Sequence, residues 1–130
     1  MEFQNITYEK TDSVGIITLN RPARQNALSI ALLEEMNRCL AAIAESREVT
    51  VIVVRAAGKN FCAGHDLGDL AGKAIAVHNR MFSICAEMML RLQRVPQPVI
   101  AQVHGIATAA GCQLVAACDL AVAEEGARFG

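Results

Sequence analysis

Two apolar runs constrain this chain more than any other feature: "TVIVVRAAG" at residues 50–58 and "VIAQVHG" at residues 99–105. A continuous apolar strand is expected in a sheet covered on both faces. A long stretch with helical spacing lies between the two runs, and each run ends in a glycine that leads towards a small-residue turn. Strands and helices therefore alternate along the chain, which is the α/β class.

Upstream, "ITYEKTDSVGIITLN" reads as two strands joined at Asp12-Ser13, with Ile16, Ile17 and Leu19 marking the second as the more buried. "RPARQNALS" follows as an irregular loop. Ser29 is placed as the N-cap of a helix over residues 30–45. In that helix Leu32, Met36, Leu40 and Ile43 recur at helical spacing, while Glu34, Glu35, Asn37 and Arg38 fall mostly on the other side. Residues 56–73, "AAGKNFCAGHDLGDLAGK", carry four glycines and form a loop of functional weight. A second helix is expected over residues 74–93, with Val77, Met81, Ile84, Met88 and Leu92 as its buried stripe and "VPQP" as its stop. After "VIAQVHG" come a turn, a short helix from Ala110 to Ala117, a strand in "DLAVAEE" and the start of one more in "ARFG". A natural domain rarely ends straight after a strand and a turn, so residues 1–130 are expected to be the front part of a longer protein.

Composition narrows the function classes. Hydrophobic residues make up 53 % of the 130, enough for one domain with a core, and only 4 % are aromatic, so that core is aliphatic. A net charge of −1, with the basic residues scattered and no run of three, excludes a general nucleic-acid binder. No apolar run approaches the roughly 18 residues that span a bilayer, so no membrane partner is expected. "MEFQNITYEKTD" has neither the apolar core nor the Arg-rich amphipathic character of a targeting peptide. Five cysteines (Cys39, Cys62, Cys85, Cys112 and Cys118), an odd count without a CxxC pair, point to reduced thiols and a cytoplasmic location. No metal site is expected, since Cys112 and Cys118 lack partners at ligand spacing.

The chemistry-bearing stretches are two turns, each following a buried strand: "CAGHD" at 62–66 and "ATAAGCQ" at 107–113. In α/β sheets, ligands sit beyond the carboxyl ends of the strands. Two such turns can each aim one backbone N–H at one oxygen, and a pair of preorganised donors makes an oxyanion hole. At residues 110–113 a helix N-terminus adds its dipole. Tight helix–strand packing selects the same small residues, so spacing alone leaves both readings open. Phosphate-loop readings fail: there is no GxGxxG, and "GDLAGK" has the wrong spacing for GxxxxGK. Cys62 and Cys112 lie in the turns without a histidine placed as their base, and small buried thiols are the simpler reading. His65, next to Asp66 at a glycine turn, is the most provocative histidine; His78 and His104 read as structural.

The blocks "ITLNRPARQNALS", "AAGKNFCAGHDL", "PVIAQVHGIATAAGCQLVAACDLAVA" and "ARFG" together resemble the crotonase superfamily, the enoyl-CoA hydratase/isomerase family. They come in the family's order and cover essentially the whole chain. The resemblance implies a crotonase-like spiral of ββα units (the ClpP/crotonase fold), here truncated, with the C-terminal trimerisation helices absent and a homo-trimer or hexamer as the full-length assembly. It implies an acyl-CoA thioester as the ligand, with no cofactor beyond coenzyme A as part of the substrate, and chemistry through an enolate-like anion. By motif, the thioester oxygen is held by the backbone N–H groups of His65 and Ala110, which gives His65 a backbone role. Ala23, Arg24 and Gln25, in the loop after "NRP", are the implied coenzyme A contacts, with Arg24 able to meet a phosphate. Ala63, Gly64, Asp66, Leu67, Gly68 and Gly111 line the ligand path in the same scheme.

Two departures from the family pattern bear on activity. Gln113 stands where hydratases of the family carry their first catalytic glutamate, and an amide has no titrating proton. The second family glutamate would fall a few residues past Gly130. Ala109 and Ala110 replace glycines, which keeps a backbone donor but narrows the pocket. The expected function is therefore an acyl-CoA-binding enzyme of this family with doubtful ordinary hydratase activity. The alternative is a non-catalytic acyl-CoA-binding pseudoenzyme.

Overall fold

The computed structural model describes residues 1–130 and arranges them in two sheets and four α-helices. The strands are β1 (Ile6–Thr11), β2 (Val14–Leu19), β3 (Val51–Ala56), β4 (Val99–Val103), β5 (Ile106–Ala107), β6 (Leu120–Ala123) and β7 (Arg128–Phe129). The helices are α1 (Ile30–Ala44), α2 (Leu67–Leu70), α3 (Ile75–Arg94) and α4 (Ala110–Ala117), with a 3-10 turn at Pro22–Arg24. The larger sheet runs β1-β2-β3-β4-β6; β1 is antiparallel to β2 and every later pairing is parallel. Parallel neighbours need helical crossovers, and α1, α3 and α4 supply them.

A structural repeat emerges that has no fixed sequence period. After β4 the chain adds β5 to a second layer before α4; after β6 it adds β7 to that layer, parallel to β5. After β3, Cys62 joins the same layer by a parallel bridge to Ala107, before α3. The passages after β3 and β4 thus each place one short stretch in the second layer and then a helix, and the passage through β6 repeats the step into that layer with β7.

The helices follow the sequence closely. Ser29 caps α1, its Oγ accepting from Leu32 N at 3.1 Å. Leu32, Met36, Leu40 and Ile43 are all buried, as are Met81, Met88 and Leu92 of α3; Val77 and Ile84 are half-buried at the edges of the stripe. A cluster of 27 buried hydrophobic residues fills the space between α1, α3 and one face of the sheet. No helix is long and apolar enough to cross a membrane.

Three expectations are corrected. First, the sheet is not covered on both faces: in β3, Ile52 and Val54 are buried while Val51 and Val53 are only half-buried, and β6 is exposed along its whole length. The apolar run conceals a strand with one core face. Second, Glu35 and Asn37 lie inside rather than on the polar side of α1. Glu35 accepts from Gln4 N at 2.7 Å, Asn5 N at 3.0 Å and Asn5 Nδ2, tying the N-terminal segment to the helix; Asn37 Nδ2 donates to Ile84 O of α3. Buried polar side chains that satisfy backbone groups escape a count of apolar positions. Third, the 56–73 loop contains α2, capped by Asp66, whose Oδ1 accepts from Gly68 N at 2.8 Å.

Candidate functional site

The two small-residue turns lie side by side. Thr108 N donates to Cys62 O at 3.0 Å, and both Phe61 N and Cys62 N donate to Ile106 O. The contact is close enough to dictate glycine at two positions. A Cβ on Gly111 would sit 2.3 Å from Cys62 O, so the first turn of α4 can pack on that backbone only without a side chain. A Cβ on Gly64, whose φ is +94°, would sit 3.4 Å from Ala110 N and 3.1 Å from Ala109 Cβ. Residue 64 therefore abuts Ala110 N, and the absence of a side chain there leaves that N–H uncrowded.

The backbone donors of the two turns divide sharply. Ala63 N donates to Gln25 O, Asp66 N to Leu28 O, Thr108 N to Cys62 O, Ala109 N to Gly130 O, Gly111 N to Thr108 O, and Cys112 N and Gln113 N to Ala109 O. The N–H groups of Gly64, His65 and Ala110 have no oxygen acceptor in the protein; that of Gly64 faces the Cys62 sulfur, which leaves those of His65 and Ala110 without a partner. Ala110 is the first residue of α4, so its N–H is one of the helix's unpaired donors and carries the positive end of its dipole. Ala109, which precedes it, holds φ +52° and ψ −124°, a conformation glycine adopts freely and alanine does not.

The loop after "NRP" joins the same place. Leu28 N donates to Gly64 O at 2.7 Å and Ala63 N to Gln25 O at 3.0 Å. Arg21 Nη2 pairs with Asp66 Oδ2 at 2.9 Å while its Nη1 donates to Ala27 O. Burial alone would raise the Asp66 pKa, but the hydrogen bonds from Arg21 and Gly68 and the charges of Arg21 and Arg24 outweigh it and hold the carboxyl below its usual range. Both Asp66 oxygens are thus engaged by the protein, and Asp66 clamps the loop to the turn. Ala23, Arg24, Gln25, Ala63, Leu67 and Gly68 are exposed around this junction, and the Gln25 amide oxygen accepts from Asn60 Nδ2.

Gln113 is exposed on α4, one turn beyond Ala110. The cysteines of the turns behave as packing residues. Cys62 is fully buried, its thiol donates to Asn26 O at 3.2 Å, and burial pushes its pKa up to about 11. His78 and His104 are structural, with Nε2 at 2.8 Å from Leu70 O and 2.7 Å from Gly58 O. The His65 imidazole turns towards α3, where its Nε2 lies 3.3 Å from Cys85 Sγ and its ring meets Phe82 edge-on at 5.0 Å.

Sequence reasoning missed the residues that brace the site. Arg21 is one. Asn26 is another: fully buried at φ +55°, it donates to Ala57 O and Asn60 O and accepts from Arg21 N. An asparagine that tolerates a left-handed backbone in "RQNAL" was the available signal. A groove of about 530 Å³ lined by Ala44, Ala86, Leu90, Arg91 and Arg94, among others, runs along α3 away from the turns.

Known proteins share this fold. The family pattern described as Enoyl-CoA hydratase/isomerase matches residues 9–130. Rat "Enoyl-CoA hydratase domain-containing protein 3, mitochondrial" is 43 % identical over 119 residues, 91 % of this chain and 40 % of the relative. The "Short-chain-enoyl-CoA hydratase" of Clostridium acetobutylicum is 36 % identical over the whole of this chain and 50 % of its own length. The crystal structure of an enoyl-CoA hydratase from Mycobacterium smegmatis superposes with a TM-score of 0.95 at 46 % identity, covering 98 % of this chain and 50 % of the other. That of human enoyl coenzyme A hydratase domain-containing protein 3 does so with a TM-score of 0.95 at 38 % identity, covering 98 % and 51 %. The chain spans about half the length of the curated relatives it matches.

Proposed function

Because this chain belongs to the enoyl-CoA hydratase/isomerase family and has the crotonase fold, we propose that it binds acyl-CoA thioesters at the paired turns, where the N–H groups of His65 and Ala110 receive the thioester oxygen. One observation carries the reading: these two donors stand unpaired in adjacent turns, where the other N–H groups bond to backbone oxygens or, for Gly64, face the Cys62 sulfur. An oxygen that gains negative charge as an enolate forms is the acceptor such a pair suits, and each donor of this kind is worth about 3 kcal/mol of barrier. The exposed edge formed by Ala23, Arg24 and Gln25 supplies the coenzyme A contact, with the Arg24 guanidinium meeting a phosphate.

Gln113 sets the limit on chemistry. Its amide orients a water or a carbonyl but takes no proton, so family-typical hydration is not the reaction. That observation also supports the second reading, a binder without turnover. In either case the assembly is a trimer or a pair of trimers, which covers apolar surface left open here, including Leu120 and Val122 of β6. The five free thiols suit a reducing compartment, cytoplasmic in our reading; the vertebrate relatives are named as mitochondrial.

The test is a pair of measurements on the full-length protein. Titration with butyryl-CoA should give saturable binding, and crotonyl-CoA hydration should run about 10²–10⁴ slower than in the family's two-glutamate enzymes. Hydration at the usual family rate would show that Gln113 does not limit the chemistry. No binding would remove the reading altogether.

A further inference from the structure

The oxyanion reading gives His65 a backbone task, yet its side chain is placed with care. The imidazole lies against α3, Nε2 at 3.3 Å from Cys85 Sγ and the ring edge-on to Phe82 with centroids 5.0 Å apart. Cys85 is buried at 5 % exposure while Phe82 is half exposed, so the thiol closes the inner end of the ring's slot and the phenyl its outer wall. The neighbouring peptide groups are tied the other way: Gly64 O and Asp66 N both bond to Leu28. His65 is thus suspended between the "NRP" loop on one side and α3 on the other, with its own N–H the free group in between.

Resting on the proposed acyl-CoA site, we infer that Cys85 is a positioning residue: its thiol donates to His65 Nε2, fixes the ring against Phe82, and so holds the His65 N–H in line with the thioester oxygen. Both partners are neutral in this arrangement. Burial pushes the Cys85 thiol up and the His65 imidazole down, so neither exchanges its proton for a charge near neutral pH. Between neutral partners the imine nitrogen is the better acceptor and thiol sulfur a poor one, which makes S–H the donor. The proton left on the ring is then at Nδ1, and Nδ1 has no partner in the protein. The role is purely one of orientation, and no bond to Cys85 is made or broken.

The experiment combines ring nitrogen shifts with binding on the full-length protein. Wild type should show His65 as the neutral Nδ1–H tautomer by ¹⁵N NMR, and bind butyryl-CoA. Cys85→Ala should lose the fixed tautomer and bind about fivefold more weakly, the effect of one hydrogen bond, with an unchanged circular dichroism spectrum. Cys85→Ser, which restores a donor, should recover both signals. His65→Ala keeps its N–H and should weaken binding to the same degree without abolishing it. Wild-type binding with an Nε2–H tautomer, or with Cys85→Ala binding as wild type does, would overturn the positioning role while leaving the site intact. Failure of wild type to bind would instead remove the site itself. Should Cys85→Ala fail to fold, Cys85→Ser and the wild-type tautomer decide the matter.

Discussion

Ala109 is an alanine in a glycine's conformation, and replacing it should stabilise the protein. Its φ of +52° with ψ of −124° lies in a region that costs a non-glycine residue about 1–3 kcal/mol. Glycine removes that strain at the expense of about 0.4–1 kcal/mol of extra freedom in the unfolded chain. Ala109 is exposed, so deleting its methyl loses little burial, and glycine is also the better residue at a helix N-cap. The Ala109 N bond to Gly130 O and the Ala109 O bonds from Cys112 N and Gln113 N are all backbone and survive. The balance for Ala109→Gly is a gain of about 0.5–2 kcal/mol, or roughly 4 °C in melting temperature per kcal/mol for a chain of this length. Urea unfolding of the two proteins, at equal slope, measures it directly. An unchanged or lowered midpoint would mean that the turn carries no strain, and the account of the α4 N-terminus given above would be wrong.

Three further outcomes are expected. Ala110→Pro deletes an N–H that the fold does not use, so it should abolish butyryl-CoA binding while circular dichroism stays near native; Ala110→Gly should bind as wild type does. Asp66 has a folded-state pKa below its unfolded value, so its stabilisation is present at neutral pH and is lost as pH falls through the folded value; Asp66→Asn should be less stable at pH 7 and show a shallower loss of stability below about pH 4, read from urea midpoints across pH. Gln97→Ala strips the donor that meets Ile43 O and Val49 O at the end of α1 and should cost about 1–3 kcal/mol in the same unfolding assay.

The elements that repeat an apolar period were legible: α4 runs from Ala110 to Ala117 as read, and the Ser29 cap stands where the sequence puts it. The juxtaposition of the two turns was legible only through the family blocks, since small residues also serve plain packing. What stayed hidden are polar residues whose partners are remote in sequence. Arg21 meets Asp66 across 45 positions, Glu35 meets Gln4 across 31, and Gln97 meets Ile43 across 54. No local pattern marks such a side chain as buried, because its burial depends on a backbone group that another segment delivers. The conformation of Ala109 is hidden for the opposite reason: its residue type argues against the backbone it adopts.

The mutual grip of the two turns has a kinetic consequence. Ile106 N bonds to Asn60 Oδ1 across 46 positions, and the direct bonds between the two turns join the same two distant stretches. Neither turn can form its half of the site early, as an isolated hairpin could. Closing so long a loop costs entropy before any reward arrives, so this pairing belongs to the slow, late part of folding. The geometry of the unpaired donors is thus absent from partly folded chains and appears only when β3, β4 and α4 have docked. A ligand that seeks those donors samples the finished fold alone, and it stabilises that state by an amount that grows with its concentration relative to its Kd.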